Sequence, residues 1–595
     1  MAEAVRTEPE EEEEELLPAR QVDVRRSVRV GLLGGLTAVF LSGVGMIQSF
    51  DQAGAVIGPL SLGELLLLGV PFVFGLIAGQ PPPVLKGFAE PTRGGRNVVA
   101  GAVAALLVGA VMAVFVVLVD TFDVRDVLTR VSPQLLEILT YGQSLAVGVL
   151  IGLVLDVMLG VAGGASHLLG KRWRGPLVRA LVVVLMLGVL EALVSQILRG
   201  ARMGPVQDAL YAPTGELRPV SAIVIGLIVF GVGVLLRIRP PKVRARMEAL
   251  EPDRRRAVVA GGLVAAIAVL AILPWVLGPF LTEVLNIAGI FLLMALGLNI
   301  VVGFAGLLDL GYVAFFAVGA YAAAVFTSPA SNAFAPELSF WVALPIVMLC
   351  AVAAGLLVGT PVLRMRGDYL AIVTLGFGEI ARILFLSDAL KPVFGGAQGI
   401  LRIPDLSVGP IELQGPELFF YAILAFVLLA AYIAYALQDS RIGRAWMAMR
   451  EDESVAEAMG VNTVAAKLWA FVIGAMLASF GGALFGVKVG SVFPNSFNVI
   501  VSFTVLIIII IGGLASIPGV VVGALVLVAL PELLREFQEF RYLLYGALLI
   551  AMMLLRPEGL IPSRRRAREL HEEELEQDAW VRAQAETAST AAGTG

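Results

Sequence analysis

Apolar runs of eighteen or more residues recur along the whole chain, with short polar stretches between them. A helix of that length spans about 30 Å of hydrocarbon. The runs fall at about 30–48, 55–79, 97–119, 141–162, 177–198, 219–237, 257–279, 284–303, 311–327, 339–361, 369–387, 417–437 and 468–487, followed by a long run at 499–531 and a last one at 542–555. Backbone in lipid must satisfy its own hydrogen bonds, so such runs form helices. The pattern predicts an all-α, polytopic helical membrane protein with about 14–16 transmembrane segments. Run 499–531 is long for one crossing and contains GGLASIPG at 512–519. Proline between glycines breaks a helix. The run reads as a broken pair, 499–511 and 519–531, joined by a turn on the cytoplasmic side. A short hairpin with no transport role is an equal reading.

The polar stretches set orientation, because basic loops stay cytoplasmic. Arg25, Arg26 and Arg29 place the N-terminus inside. Alternation then puts three basic loops inside: 80–96 with Lys86, Arg93 and Arg96; 163–176 with Lys171, Arg172 and Arg174; and 238–256 with seven basic residues. Arg364 and Arg366, the loop 438–467, and the C-terminal run Arg564, Arg565, Arg566 and Arg568 follow. Loop 238–256 is the best internal boundary. The expected organisation is an acidic disordered tail at 1–26, a membrane region of about six helices at 27–255, a second membrane region at 256–562 and a cytoplasmic tail at 563–595.

Composition agrees with the membrane class: 58% hydrophobic, 15% charged, mean hydropathy +0.89. Soluble domains carry about 25% charged residues. The net charge of −5 says little, since the charges sit in loops and tails. The acidic run of Glu8 and residues 10–15 has the wrong polarity for a signal peptide. Cys350 is the one cysteine and lies in an apolar run, so its expected role is packing. His167 and His571 are far apart in sequence, which argues against a histidine metal site.

The chain has no G-x-x-x-x-G-K-[ST], H-E-x-x-H, C-x-x-C or G-x-S-x-G. No catalytic residue, metal ligand or cofactor site is therefore expected, and no nucleic-acid partner. Charged residues inside spans are functional candidates by default. Glu64, Asp156 and Glu191 each stand alone in a span, and a structural role outweighs transport for them. Glu379 and Arg382 lie at i, i+3 and can pair on one helix face.

Two stretches stand out. Segment 297–324, GLNIVVGFAGLLDLGYVAFFAVGAYAAA, holds Asn299, Gly303, Gly306, Asp309 and Gly311. A glycine-rich break with free N–H groups can receive a carboxylate. Close helix packing is the blander and weightier reading. With Glu379, these five residues are the candidate translocation path. The loop 438–467 carries seven charged groups between residues 439 and 453, too many for lipid. Small and apolar residues, Ala445, Met449, Ala456 and Met459, recur there at helical spacing. Short helices with small faces can enter a groove on a partner, here with Arg441, Arg444 and Arg450 at the rim.

Four motifs, spread over residues 260–562, resemble the LivM-type permease family of branched-chain amino acid ATP-binding-cassette importers. They are the 297–324 segment, RMRGDYLAIVTLGFGEIARI at 364–383, SRIGRAWMAMREDESVAEAMGVN at 440–462 and LLRPEGLIP at 554–562. The resemblance implies a permease subunit in a bacterial inner membrane, with both termini cytoplasmic. The partners it implies are two P-loop ATPase subunits, a second related permease and an extracytoplasmic binding protein that delivers the amino acid. It also implies that 438–467 is the loop on which the ATPase docks, with Arg441, Gly443, Arg444, Arg450, Glu451, Asp452, Glu453, Ala456, Glu457 and Gly460 as the coupling residues. The form of this loop common among ATP-binding-cassette permeases, E-A-A-x-x-x-G, is degenerate here, as the resemblance implies for this family generally: Gly460 takes its glycine, and Ser454, Val455 and Ala456 stand where E-A-A would be. Related permeases carry urea or short amides, which is one alternative. An ion-coupled secondary transporter using Glu64, Asp156, Glu191 and Glu379 is the other.

Overall fold

The computed structural model describes residues 24–563 apart from 53–54, 58–59, 80–94, 123–127, 129, 170, 201–202, 239–251, 331–335, 363–364, 366–367, 530–539 and 556–558. The acidic run, most of the basic loop 238–256, Arg364, Arg366 and the C-terminal basic run lie outside the described residues. The chain divides into two units, Met1–Arg255 and Arg256–Gly595. Among the described residues, eight helices are long and apolar enough to cross a membrane. A bent pair, Arg25–Gly43 with Met46–Gln52, makes a ninth, and there are five shorter apolar helices.

The first unit contains α1 (Val24–Gly43), α2 (Met46–Gln52), α3 (Leu62–Ala78), α4 (Arg96–Thr121), α5 (Pro133–Leu139), α6 (Leu145–Ala165), α7 (Lys171–Val189), α8 (Glu191–Gly200), α9 (Gly204–Leu210) and α10 (Pro219–Ile238). A short antiparallel pair, β1 (Ala55–Ile57) and β2 (Leu60–Ser61), precedes α3. Ser61 starts α3 through a capping box: its Oγ accepts from the Glu64 amide at 3.1 Å and its own amide donates to Glu64 Oε2 at 3.1 Å. Glu64 is thus a helix-capping residue. α4 and α6 approach so closely that a Cβ on Gly160 would lie 2.1 Å from that of Ala105, the small-residue contact of membrane helices. Ala38, Ile47, Leu67, Val108 and Leu135 form the core of this bundle.

The second unit is built on α11 (Pro252–Leu298), α12 (Val313–Thr327), α13 (Phe340–Val362), α14 (Asp368–Leu386), α15 (Pro416–Gln438), α16 (Arg441–Glu451), α17 (Glu453–Ala458), α18 (Thr463–Val489), α19 (Val499–Gly512), α20 (Ile517–Ala524) and α21 (Arg541–Leu555). At 47 residues, α11 would be about 70 Å long if straight. Gly278, at φ 76° and ψ 175°, interrupts it, so the two runs read at 257–279 and 284–303 are separate helical segments. In both the Ile267–Phe304 stretch and α18, 78% of the apolar window is buried, and these helices form the centre of the unit. α12 packs on α18, and the Tyr312 hydroxyl donates to Gly474 O at 2.7 Å.

The run 499–531 is broken as its glycines and proline require. α19 ends at Gly512, residues 513–516 turn, and α20 runs back from Ile517, with a π-helical end at Leu525–Ala529. A Cβ on Gly512 would meet Gly519 O at 2.3 Å, so the two arms touch backbone to backbone. Three two-stranded pieces were not foreseen: β1–β2, β3 (Ile400–Leu401) with β6 (Ser491–Val492), and β4 (Ser407–Val408) with β5 (Ile411–Glu412). Strands of two or three residues are too short to show a period.

Candidate functional site

Between α15 and α18 every bend of the chain has its own cap. Ser440 Oγ accepts from the Gly443 amide at 3.1 Å and starts α16. Asp452 Oδ1 accepts from the Ser454 and Val455 amides at 2.8 and 3.0 Å and starts α17. Asn462 Oδ1 accepts from the Ala465 amide at 2.9 Å and starts α18. α17 ends on Gly460 at φ +87°, whose amide donates to Glu457 O at 2.9 Å, while the Val461 amide donates to Ala456 O at 3.0 Å. That pair of bonds is a Schellman ending, which favours glycine at the left-handed position. The glycine of the degenerate motif therefore has a local backbone reason.

α16 buries Gly443, Trp446 and Met449, spaced three apart, and leaves Arg441 and Arg444 exposed. The Trp446 side chain is fully buried and its Nε1 donates to Ala466 O at 2.7 Å. Lys467, 2% exposed, pairs with Glu453 at 2.6 Å. A buried cation without a partner is costly, so this pair fixes α17 on the start of α18. Ala456 is buried, while Glu451, Asp452 and Glu457 are exposed. The outward apolar face of α17 is Val455 and Met459, 58% and 81% exposed. Of the small and apolar residues expected to form the contact face, Met449 and Ala456 point inward and Met459 outward.

Arg450 turns back into the unit. Its guanidinium donates to Gly303 O at 2.6 Å. Gly303 lies in a π-helical turn, Asn299–Phe304, that ends α11. Gly306 follows at φ +71°, and a Cβ there would sit 2.7 Å from Arg450 Cγ, so glycine makes room for the arginine stem. In the same π turn, buried Asn299 accepts from the Ala515 amide at 2.9 Å. Ala515 is in the turn between α19 and α20. The Leu560 and Ile561 amides bind Ile511 O and Gly512 O, at 2.8 and 3.0 Å, and hold that turn from the other side. The helix pair α16–α17, the π turn and the broken pair are thus joined by direct hydrogen bonds.

The remaining residues of the 297–324 segment form a tight turn before α12. Asp309, 1% exposed, accepts from the Gly311 amide at 2.9 Å through Oδ1. The Leu310 amide donates to Thr374 Oγ1 at 3.1 Å, and Gly311 lies against the Thr374 backbone. Burial pushes the Asp309 carboxyl up to about 7, against the bonds from Gly311 and Thr374, which lower it. The amides of Ala305, Leu307, Leu310 and Gly311 all have acceptors, so these four are not free to receive a carboxylate. Glu379 does not join this group. It accepts from Arg382 Nε through both oxygens at 3.0 Å and also pairs with Arg382 Nη2.

Sequence reading missed Trp446, Lys467, Ala515 and Ser502, whose Oγ accepts from the Val313 amide at 2.9 Å. The one visible signal was Lys467, a cation at the mouth of an apolar run. It also missed an aromatic cluster in which Tyr321 stacks on Phe385 at 4.2 Å between centroids, beside Phe394 and Phe497. The buried Tyr321 hydroxyl has no hydrogen-bond partner among the described residues.

A family model described as the permease component of the branched-chain amino acid transport system matches residues 280–553. The high-affinity branched-chain amino acid transport system permease protein LivM of Escherichia coli K12 is 39% identical over 326 residues, covering 51% of this chain and 75% of the relative. The probable LivM protein of Methanocaldococcus jannaschii is 24% identical over 320 residues, covering 46% of this chain and 91% of the relative. A second permease, LivH of Salmonella typhimurium, is 30% identical over 175 residues, 29% of this chain and 55% of the relative. No solved structure matches the chain. With its apolar helical bundle and a 39% identical relative covered over three quarters of its length, the chain belongs to the branched-chain amino acid transport permease family.

Proposed function

We propose that this protein is the membrane-spanning permease subunit of an ATP-binding-cassette importer for branched-chain amino acids, and that α16–α17 is the element a separate P-loop ATPase grips. The observation that carries this is the coupling element itself. It is capped at both helix starts, anchored by Trp446 and Lys467, and presents Val455 and Met459 outward. Movement of this lever reaches the membrane through Arg450 and Gly303, then through Asn299 and Ala515. Coupling requires only that the ATPase hold the element differently in its two states.

One coupling element holds one ATPase, so a second, related permease would hold the second ATPase. LivH-type permeases are the class to test, and an extracytoplasmic binding protein would deliver the substrate. The exposed Arg441 and Arg444 support a cytoplasmic side of an inner membrane for this loop, and the basic residues flanking the first and last spans support the same side for both termini. Urea or short amides remain the alternative cargo, because apolar pockets separate ligands differing by one methylene by only about 1–3 kcal/mol. The ion-coupled alternative loses support from three carboxylates. Glu64 caps a helix, Glu191 accepts from Ser195 Oγ at 2.7 Å, and Glu379 is held by Arg382.

Val455→Arg or Met459→Arg, on exposed positions, tests the docking role. Each should leave yield and monodispersity unchanged and lower ATP-dependent leucine uptake at least about tenfold, the loss of roughly 1.4 kcal/mol of contact. Uptake at the wild-type rate in both variants would sink the role of α17. Substitution of Gly460 is a poorer test, since any side chain there also strains the Schellman ending.

A further inference from the structure

α14 is long and apolar enough to cross a membrane over Tyr369–Leu386, yet it carries two charges inside that span, Glu379 and Arg382. Glu379 lies ten residues from Tyr369, about 15 Å along the helix. In the orientation proposed above, Leu386 is the extracytoplasmic end, so the pair sits in the half of the span from which an importer receives its substrate. At 100° per residue, Ile372, Gly376, Glu379 and Ile383 fall within about 60° of one another, on one stripe. That stripe is open. Ile372 and Ile383 are 64% and 54% exposed, the Glu379 side chain is 44% exposed, and a Cβ on Gly376 would meet nothing within 4 Å. Arg382 stands at its edge, its side chain 25% exposed. The guanidinium is held from two sides. Its Nε donates to both Glu379 oxygens at 3.0 Å, and its Nη1 donates at 3.4 Å to Oδ1 of Asn495, from the short helix Pro494–Ser496 ahead of α19.

Charges at this depth are not left against lipid; they face a bundle interior or water. Among the described residues nothing covers the stripe, so water or another molecule does. A partner subunit need bring no charge to it, because carboxylate and guanidinium already hold each other. What the stripe offers a ligand is two opposite charges one turn apart, beside an open notch over Gly376 walled by isoleucines. A branched-chain amino acid carries the complementary pair of charges and an aliphatic branch. Guanidinium binds a carboxylate through two parallel N–H bonds. The substrate carboxylate can therefore replace Glu379 on Arg382, while the released Glu379 takes the substrate ammonium. The exchange leaves no charge unpaired, which is the condition for placing charges away from water. Urea and neutral amides carry neither charge and leave the pair closed.

We propose that Glu379 and Arg382 bind the two charges of the transported amino acid, with its branched side chain in the notch over Gly376, and so select a zwitterion over urea or an amide. The assignment of this ligand as cargo rests on the importer reading above.

The test uses the full chain with its co-purifying subunits in nanodiscs. Cys350→Ala removes the native thiol and Gly376→Cys places one in the notch. A charged, membrane-impermeant thiosulfonate should label that thiol, with the adduct read on this chain by mass. Leucine at about ten times its dissociation constant should slow the labelling roughly tenfold. Leucinamide, which lacks the carboxylate, 4-methylpentanoate, which lacks the ammonium, and urea should not. Glu379→Gln and Arg382→Gln should each abolish the protection and lower ATP-dependent leucine uptake at least about tenfold, the usual order for losing a charge-assisted hydrogen bond. If the single variants fail to fold, the exchange Glu379→Arg with Arg382→Glu keeps an ion pair on the helix. It should restore monodisperse protein without restoring protection, since the two charges then stand in reverse order about the notch. A thiol inert to the charged reagent means that lipid or a partner subunit covers the stripe, and overturns the proposal. So does labelling that leucine leaves unchanged, equal protection by urea, or full protection in either single variant or in the exchanged pair. Labelling requires neither ATP nor uptake. A wild type that leucine protects but that shows no ATP-dependent uptake therefore overturns the importer reading and leaves the zwitterion site standing.

Discussion

α6 and α18 are both long apolar helices, yet they live in different surroundings. α18 has 78% of its apolar window buried and α6 has 17%. The difference lies in where the small residues are. α18 carries Gly474, Ala475, Ala478, Ser479, Gly481, Gly482 and Ala483, which are buried against neighbours on several sides. α6 has Gly148, Gly160, Gly163 and Gly164 buried against neighbours but turns Leu150, Val154 and Met158 outward. Lipid is as apolar as leucine, so an outward leucine loses nothing, and a helix becomes central only where neighbouring backbones can come close. The comparison separates a permease core held by tight multi-sided packing from a first unit whose helices touch along narrower stripes.

The strongest way to break this comparison is to put bulk into each kind of place. A Cβ on Gly319 of α12 would lie 2.2 Å from Ser479 O, a backbone atom of α18 that cannot move aside alone. Gly319→Leu should abolish monodisperse protein in gel filtration. Gly231→Leu on α10, where nothing lies within 4 Å, should leave the elution profile unchanged. Equal damage from both would remove the distinction. At the next level, Trp446→Ala should destabilise by about 3–5 kcal/mol, the usual cost of emptying a buried aromatic site. Thermal unfolding would show it, and a shift no larger than that of exposed Arg441→Ala would mean that the helix pair is not anchored there. The smallest effect is expected at Leu150→Ala, 61% exposed on α6, at under about 0.5 kcal/mol. A cost of several kcal/mol in the assembled importer, but not in the isolated chain, would show that a partner subunit covers this face.

The local parts of the α16–α17 helix pair were readable in advance. Ser440, Asp452 and Asn462 are residue types that cap helices, and Gly460 is the type that ends one. GGLASIPG located the break between α19 and α20, because its conformational demands belong to those eight residues alone. The wiring was not readable. Arg450 reaches Gly303 across 147 residues, and Asn299 reaches Ala515 across 216. No periodicity relates positions so far apart, and a single arginine or asparagine looks the same whether it faces water or a distant carbonyl. For the same reason the sequence showed Asn299, Gly303 and Gly306 as path-lining candidates but not the joint in which Asn299 meets Ala515, Gly303 accepts from Arg450 and Gly306 leaves room for the arginine stem.

What the amino-acid order determined unaided was the membrane class, the helical runs, the break at 512–519 and the family signature of 440–462. Each depends on a local sum, either transfer of a run into lipid or the backbone freedom of a few residues. Tertiary structure alone decided which helices became central, which way α17 turned its residues, and that Asp156 on α6 was buried. Those outcomes depend on how closely two backbones can approach. Inside a bilayer, where apolar side chains gain little by leaving lipid, that fit of surfaces takes over from hydrophobic transfer as the force that selects neighbours.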